Sequence, residues 1–206
     1  MTIPSDDRVA AVERLERQLA FVREIDRLKS VLRRTSLHDG SRRENSAEHS
    51  WHLASMALVL AEYAPDGADV TRAVQLCLVH DVVEIDAGDT FAYDTAGYAD
   101  KAAREQAAAV RLFGLLPLDQ GIAFRAMWEE FEEGETPTAR FANALDRLQP
   151  LLLNMESGGG SWTTHSVRRS QVIERMQPIR EWVPDAWEFV LDVIERAHAA
   201  GLLASD

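Results

Sequence analysis

The stretch LVHDVVEIDAGD, residues 78–89, places a histidine and four acids within an apolar run. The acids are Asp81, Glu84, Asp86 and Asp89. The apolar positions are typical of the last turns of a buried helix, and Gly88 is typical of a helix end. Buried carboxylates destabilise a fold unless they are paired, hydrogen-bonded or bound to a metal, and acids near a helix C-terminus oppose the helix dipole. The stretch therefore predicts a buried helix whose acids are paired, hydrogen-bonded or bound to a metal.

Helical signals account for most of the chain on either side of this stretch. Apolar residues recur at helical spacing over about residues 6–32. Asn45 and Glu48 form a capping-box pattern that opens a second helix, and Asp69 is expected to cap a third helix that continues to about Asp86. Further helices are predicted at about 98–115, 117–134, 136–150, 166–180 and 184–202. With no strand, repeat or interdomain linker predicted, the fold class is all-α, a compact helical bundle.

Two segments are expected to interrupt the later helices. Pro150 is expected to kink the helix that contains it. The run SGGGS, residues 157–161, predicts a flexible loop. That loop would act either as a linker or as a mobile lid bearing Trp162 and His165.

Composition limits the classes of protein that fit this chain. Its 206 residues suit a single domain, 1–206. The net charge of −12 argues against a nucleic acid polymer as partner, because phosphate binding needs a basic surface. No apolar run approaches the roughly 18 residues of a membrane span, so no membrane association is expected. The single cysteine, Cys77, lies between leucines and is expected to be a buried thiol, which fits a reducing, cytoplasmic compartment.

Ionisable groups recur on the other apolar helices. His49 lies one turn into the second helix, and Asp146 lies on a later one. His80 and Glu84 are four residues apart and share a helix face, while Asp81 reaches the same centre from the neighbouring edge. A lone histidine on a helix is more often an ordinary core or surface residue. Two histidines with carboxylates from three helices, however, form a nitrogen–oxygen set typical of hydrolytic sites for Mn²⁺, Co²⁺, Fe²⁺ or Zn²⁺.

Three motifs occur in a specific order along the chain. They are RRENSAEHSWH at 42–52, HDVVEIDAGD at 80–89 and ANALDRLQPL at 142–151. Together they resemble the motifs of the HD-domain 5'-deoxynucleotidases and their close relatives. The resemblance covers about residues 20–155 and implies an HD-domain helical bundle, against which the C-terminal helices at about 166–202 would pack.

The resemblance implies a role for each residue that matches the family pattern. The implied ligands of a divalent metal are His49, His80, Asp81 and Asp146. The implied acids that position or activate water are Glu84 and Asp89, and the implied arginine on the substrate phosphate is Arg34. Arg42 and Arg43 are expected to assist Arg34. Independently of the resemblance, Phe91, Tyr93 and Trp162 are candidates either for walls around the sugar or base or for ordinary core residues.

Two positions stand apart from the family pattern. Thr35 replaces the aromatic residue that the nucleotidases have after the phosphate arginine, so a weaker preference for deoxyribose is expected. His52 is three residues after His49, where the family has no histidine ligand. His52 is a candidate either for lining the pocket or contacting a residue that lines it, or for ordinary packing in the core or on the surface.

The resulting functional hypothesis is a metal-dependent phosphohydrolase. Its partner would be a small phosphorylated nucleotide, and its reaction the hydrolysis of (deoxy)nucleoside 5'-monophosphates to nucleoside and phosphate. Two alternatives remain open from the residues alone. One is an HD-superfamily hydrolase of a nucleotide triphosphate, a cyclic phosphodiester or an alarmone, and the other is a metal-binding regulatory module without turnover. The long first helix and the last helices are compatible with a homodimer.

Overall fold

The computed structural model describes residues 5–206, which form helices around one short hairpin. The α-helices are α1 (Ser5–Ile25), α2 (Ser46–Val59), α3 (Val70–Val79), α4 (Glu84–Ala87), α5 (Lys101–Phe113), α6 (Leu118–Glu133), α7 (Pro137–Glu156), α8 (Gly160–Thr164), α9 (Arg169–Trp182) and α10 (Trp187–Ala199). Short 3₁₀ segments span Asp26–Ser30, Ala61–Tyr63, His80–Val83 and Pro184–Ala186. The strands are β1 (Leu32–Ser36) and β2 (Arg43–Asn45). The predicted all-α class is confirmed, with this hairpin as an addition.

Local capping signals place several helix ends where they were predicted. Asn45 Oδ1 accepts a hydrogen bond from the Glu48 amide at 3.0 Å, and Glu48 Oε2 accepts one from the Asn45 amide at 3.1 Å. Thr136 Oγ1 accepts from the amide of Ala139 at 3.0 Å and so caps α7. Gly134 ends α6 with a φ of 63°, which few residues other than glycine adopt readily. These ends were predictable because each depends on residues within one turn.

The hairpin corrects the expectation that the chain has no strand. β1 and β2 pair antiparallel, with Leu32 opposite Asn45 and Ser36 opposite Arg43 and an irregular register between them. The Arg43 guanidinium donates to the backbone carbonyls of Leu32 and Arg33 and so ties the two strands together. Strands of five and three mostly polar residues carry no apolar alternation, so the sequence pattern indicated a loop.

The third helix is shorter than predicted. It ends at Val79, the chain passes through the 3₁₀ segment His80–Val83, and α4 then ends at Gly88, whose φ is 75°. The His80 ring contributes to this break, because its Nδ1 donates to the Cys77 carbonyl at 2.9 Å. The apolar pattern runs unchanged across the break, so the pattern alone predicted one continuous helix. The first helix likewise ends at Ile25 rather than near residue 32.

The central helix of the bundle is α7, which contacts α2, α3, α6, α9 and α10. It runs through Pro150 to Glu156. The buried apolar side chains form one cluster that includes residues from Phe21 to Leu203. The C-terminal helices therefore contribute to the same core as the helices that carry the three motifs. No helix within residues 5–206 is long and apolar enough to cross a lipid bilayer.

The glycine run after α7 forms a bonded turn instead of the flexible loop that was predicted. Asn154 Oδ1 accepts from the Ser161 amide at 2.7 Å and from Ser161 Oγ at 2.9 Å. Positive φ values at Gly158, Gly159 and Gly160 let the chain turn directly into α8. Trp162 is buried and also lines the cavity that adjoins the candidate ligands, and the alternative of a mobile lid stays a prediction.

Candidate metal centre

Three structural elements bring together the side chains predicted to bind a metal. His49 comes from α2, His80 and Asp81 from the 3₁₀ segment after α3, and Asp146 from α7. Ligand atoms of His49, His80 and Asp81 all lie within 4.8 Å of one another. Asp146 Oδ1 lies 3.0 Å from His49 Nε2 and 4.0 Å from His80 Nε2. These four side chains could therefore hold a divalent cation.

The hydrogen bonding of His80 fits a metal ligand. Its Nδ1 donates to the Cys77 carbonyl, which directs Nε2 towards the acids. Nε2 is buried and has no hydrogen bond of acceptable geometry within the described residues, although Asp81 Oδ1 lies only 2.9 Å away. The ion pair with Asp81 thus leaves Nε2 without a well-aligned hydrogen bond. Coordination through Nε2 would satisfy this atom, and a ligating histidine normally donates its other ring N–H to a carbonyl or carboxylate.

The charges around these ligands also fit a cation. Burial alone would lower the pKa of His80, but Asp81, Asp146 and the Cys77 carbonyl together outweigh burial and raise it to about 9. Burial would raise the pKa of Asp81, yet His80 lowers it to about 2. The pKa of Asp146 lies well below its usual value, despite burial, because of its hydrogen bond to His49. Without a metal, His80 thus keeps a proton between ionised carboxylates, in a place where a cation can replace it.

The two predicted catalytic acids line the cavity of about 130 Å³ that adjoins these ligands. Ser46 Oγ donates to Glu84 Oε2 at 2.6 Å and holds this buried carboxylate in place. Burial, and then the neighbouring Asp81, raise the pKa of Glu84 well above its ordinary value. Burial also raises the pKa of Asp89, although Arg33 opposes the shift. Both acids are therefore better proton acceptors than an exposed carboxylate would be.

An arginine that the sequence interpretation did not single out lies deeper in the site than Arg34. Arg33 Nη1 lies 3.1 Å from Asp81 Oδ2 and 3.8 Å from Asp89 Oδ1. Its neighbour Arg34 is exposed and lines the outer part of the same cavity. Adjacent residues of a strand point to opposite faces, so knowledge of β1 would have been needed to distinguish the two. Thr35 is buried and also lines the cavity.

The other predicted pocket residues fall into two groups. Phe91 lines the cavity, and its ring centroid lies 4.6 Å from that of His165. Arg42 instead forms two hydrogen bonds with Glu48 on the surface, at 2.9 and 2.6 Å. The Arg43 guanidinium donates hydrogen bonds to the backbone carbonyls of Leu32 and Arg33. Neither Arg42 nor Arg43 lines the cavity among the described residues, whereas Tyr93 and Trp162 do.

Arg175, on α9, is a cavity residue that sequence reasoning missed. Its Nη2 lies 3.6 Å from Asp146 Oδ2, and its side chain contributes to the cavity wall. No local pattern marks it, because it lies 29 positions beyond Asp146. It reaches the site only because α9 packs against α7.

Comparisons with known proteins agree with this geometry. The family model described as "HD domain" matches residues 25–187. "5'-deoxynucleotidase HDDC2" of Homo sapiens is 32% identical over 135 residues, which are 65% of this chain and 65% of that protein. The protein of the same name from Danio rerio is 29% identical over 141 residues, 67% of this chain and 68% of that protein. The chain thus spans about 65% of the length of the human relative that it matches.

Solved structures extend the similarity to nearly the whole chain. A crystal structure described as a "Predicted metal-dependent phosphohydrolase" from Magnetospirillum magnetotacticum MS-1 has 49% identity and a TM-score of 0.90, and the match covers 98% of this chain and 100% of that one. A conserved hypothetical protein from Pyrococcus furiosus shares the fold, with 18% identity, a TM-score of 0.57, and coverage of 88% of this chain and 99% of that one. The family model matches most of the chain, and the candidate metal site consists of histidines and acids from the three motifs. The chain therefore belongs to the HD-domain family.

Proposed function

We propose that this protein is a metal-dependent phosphohydrolase that converts nucleoside 5'-monophosphates, deoxynucleotides among them, to nucleoside and phosphate. The names of the HDDC2 relatives and of the Magnetospirillum neighbour support this class of reaction. The observation that carries the proposal is the buried His80 Nε2, which lacks a hydrogen bond and lies among His49, Asp81 and Asp146. Donors of this kind suit Mn²⁺, Co²⁺, Fe²⁺ or Zn²⁺.

The residues of the site would divide the work of hydrolysis. A divalent cation, when bound by His49, His80, Asp81 and Asp146, neutralises phosphoryl charge and lowers the pKa of water from 15.7 to about 7. Glu84 would accept a proton from the attacking water, because burial makes its carboxylate a stronger base. Ser46 would keep Glu84 oriented through the 2.6 Å hydrogen bond. Asp89, on the other side of Arg33, would orient the same water.

Arginines would bind the phosphoryl oxygens. Arg33 is close to the carboxylates of Asp81 and Asp89, so it would mainly hold these acids in place. Arg34 is exposed and has no ion pair with any described residue, which leaves its planar guanidinium available for a phosphate. Arg175 would approach the phosphate from the side opposite β1. Phe91, with Tyr93, would contact the sugar or base.

Phosphate release from a panel of substrates tests this function. The chain is first stripped of metal with a chelator and then reloaded separately with each of the four candidate ions. The panel includes 5'-monophosphates of deoxynucleosides and ribonucleosides, a 3'-monophosphate, a triphosphate and a cyclic phosphodiester. Metal-dependent release confined to 5'-monophosphates is the expected result. No release from any monophosphate with any ion, from a chain that binds the ion, would refute the proposal.

We also propose that the chain forms a homodimer through α1. One side of α1 is held to the bundle, since Arg14 forms two hydrogen bonds with Asp119 and Phe21 is buried. The opposite side carries apolar side chains that are 41–57% exposed. They are Val9, Val12, Leu15, Leu19 and Val22. The 3-4-3 spacing from Val12 to Val22 forms a seam typical of helix pairing, and a second copy of the chain would cover it.

Light scattering on size-exclusion fractions tests the dimer. The wild-type chain should elute with twice the monomer mass, and Leu15→Glu combined with Leu19→Glu should yield a monomer with unchanged helix content. Leu58→Glu is the matched control, since Leu58 is 65% exposed on α2, away from this seam. A monomeric wild type at micromolar concentration would refute the proposal.

Two further predictions accompany this proposal. The single-domain organisation of residues 1–206 is supported by one apolar cluster that includes residues from Phe21 to Leu203. The cytoplasmic location is supported by Cys77, a free and buried thiol.

A further inference from the structure

Three hydrogen-bonding side chains lie behind His49, on the side away from the candidate metal. Gln149 is fully buried on α7, three residues after Asp146. Its Oε1 lies 3.1 Å from His49 Nδ1, and its Nε2 donates to Glu44 Oε1 at 2.6 Å. The same Nε2 lies 3.3 Å from His52 Nδ1, which accounts for the position of His52.

The chemistry of these groups sets the direction of each hydrogen bond. The ionised Glu44 carboxylate only accepts, so in that state the Gln149 amide directs its nitrogen towards Glu44. Burial raises the pKa of Glu44 to about 7, while Arg33 Nε, 3.5 Å from the other Glu44 oxygen, and the hydrogen bond from Gln149 both favour the ionised carboxylate. His52 Nδ1 can accept the second amide hydrogen of Gln149. With its nitrogen fixed in this way, Gln149 directs its oxygen towards His49.

The orientation of the amide then favours one tautomer of His49. An oxygen only accepts, so the hydrogen bond between Gln149 and His49 forms only when His49 carries hydrogen on Nδ1. A neutral imidazole with hydrogen on Nδ1 has its lone pair on Nε2. In the metal-free chain Nε2 can instead carry the hydrogen and donate it to Asp146 Oδ1 at 3.0 Å, and a cation bound among His49, His80 and Asp81 would take the place of that hydrogen. Without the Gln149 oxygen, both tautomers and other ring orientations would become accessible to His49.

We infer that Gln149, oriented by Glu44, is a positioning residue that holds the His49 ring and its Nε2 lone pair towards the bound cation. The inference rests on the proposed function, because it requires that a cation binds there. Partners that bind the second nitrogen of a ligating histidine typically change metal affinity by about 10- to 100-fold. Gln149 and Glu44 would therefore control metal affinity although neither is a ligand.

The test measures Co²⁺ binding to the metal-free chain by competition with a chelator and by visible absorption, with thermal melting in parallel. Gln149→Leu removes the acceptor at similar side-chain size. We expect it to weaken Co²⁺ binding by about 10- to 100-fold and to alter the Co²⁺ absorption spectrum. Asn143→Leu is the matched control on the same helix, where the Asn143 amide donates to the carbonyls of Phe131 and Ala139. It should lower the melting temperature and leave Co²⁺ affinity and spectrum unchanged.

An exchange of the two side chains separates positioning from general destabilisation. Glu44→Gln combined with Gln149→Glu keeps the total charge and places an accepting carboxylate against His49 Nδ1, with a donating amide behind it. This double variant should recover most of the affinity and the wild-type spectrum that Gln149→Leu loses. It also keeps the inference testable if Gln149→Leu does not fold.

Three results would overturn the inference. They are wild-type Co²⁺ affinity in Gln149→Leu, an equal loss of affinity in Asn143→Leu, and a double variant that folds but binds as weakly as Gln149→Leu. The proposed function fails in a different way. A wild-type chain that binds none of the four ions would refute the metal site itself, and the inference with it.

Discussion

Replacing Glu84 by glutamine should separate metal binding from chemistry at this site. Glutamine has the shape of glutamate, and its side-chain oxygen can still accept the hydrogen bond that Ser46 Oγ gives Glu84 at 2.6 Å. The substitution removes the carboxylate that would accept the proton of water. The ligand cluster of His49, His80 and Asp81 remains intact.

The expected loss follows from the role assigned to Glu84. General acid–base catalysis by one side chain contributes about 10²- to 10⁴-fold, which at 1.36 kcal/mol per factor of ten corresponds to about 2.7–5.4 kcal/mol of activation free energy. The kcat of Glu84→Gln should fall by this factor while the bound metal content stays at the wild-type value. The metal-free variant should melt no lower than the wild type, because burial and Asp81 both disfavour the Glu84 charge in the folded chain.

The assay combines steady-state phosphate release with metal analysis of the purified protein and thermal melting. Asp86→Asn is the matched control, because it removes an acid two residues away that pairs with Arg111 outside the cavity. That control should keep its kcat. If Glu84→Gln retained near-normal turnover with metal bound, Glu84 would not be the base.

Four other predictions follow from the same geometry. Removing the metal should abolish turnover and leave the helical circular dichroism signal nearly unchanged, since the apolar core does not depend on the ion; full activity in a verified metal-free sample would contradict this. His80→Ala and Asp146→Ala should each lose bound metal, measured by elemental analysis, and stoichiometric metal in either variant would exclude that residue as a ligand. Arg34→Ala should lower kcat/KM for all 5'-monophosphates alike, whereas Arg42→Ala should not, because Arg42 is paired with Glu48. If the two variants lost kcat/KM equally, Arg34 would not be the arginine that binds the phosphate. In the wild type, the ratio of kcat/KM for dAMP to kcat/KM for AMP should not exceed about 10², since Thr35 provides only a small wall beside the sugar. A larger ratio that persists in Thr35→Trp would show that other residues select the sugar.

The helix ends and the site histidines were predictable because their signals are local. Asn45 with Glu48 marks the start of α2 within four residues, and Gly134 marks the end of α6 in one. The motifs likewise name His49 and Asp146, and α2 and α7 bring their side chains to 3.0 Å. Neighbouring residues decide the helix ends, whereas the contact between His49 and Asp146 also needs the packing of α2 on α7.

Most of the remaining features depend on contacts that are distant in sequence. The choice between Arg33 and Arg34 requires the register of β1, which is set by pairing with β2 and by the guanidinium of Arg43. Arg175 reaches Asp146 only through the packing of α9 on α7. The glycine run was predicted to be flexible from composition, but Asn154 binds the turn that follows it. Arg33 and Arg175 were missed because a side chain far along the chain supplies the deciding charge, whereas the Asn154 hydrogen bond spans only seven residues.

The balance of charge around the cavity explains why acids accumulate after α3. Because α3 ends at Val79, Glu84 begins α4 and does not lie at the negative end of a longer helix. Arg33 lies between the carboxylates of Asp81 and Asp89. Glu84 has no cationic partner within 4 Å among the described residues, and burial raises its pKa. Ionised Glu84 is therefore disfavoured in the metal-free chain, and a divalent cation bound beside His80 would stabilise its negative charge. The electrostatic cost of the acids in the metal-free chain and their affinity for a metal therefore have the same physical origin.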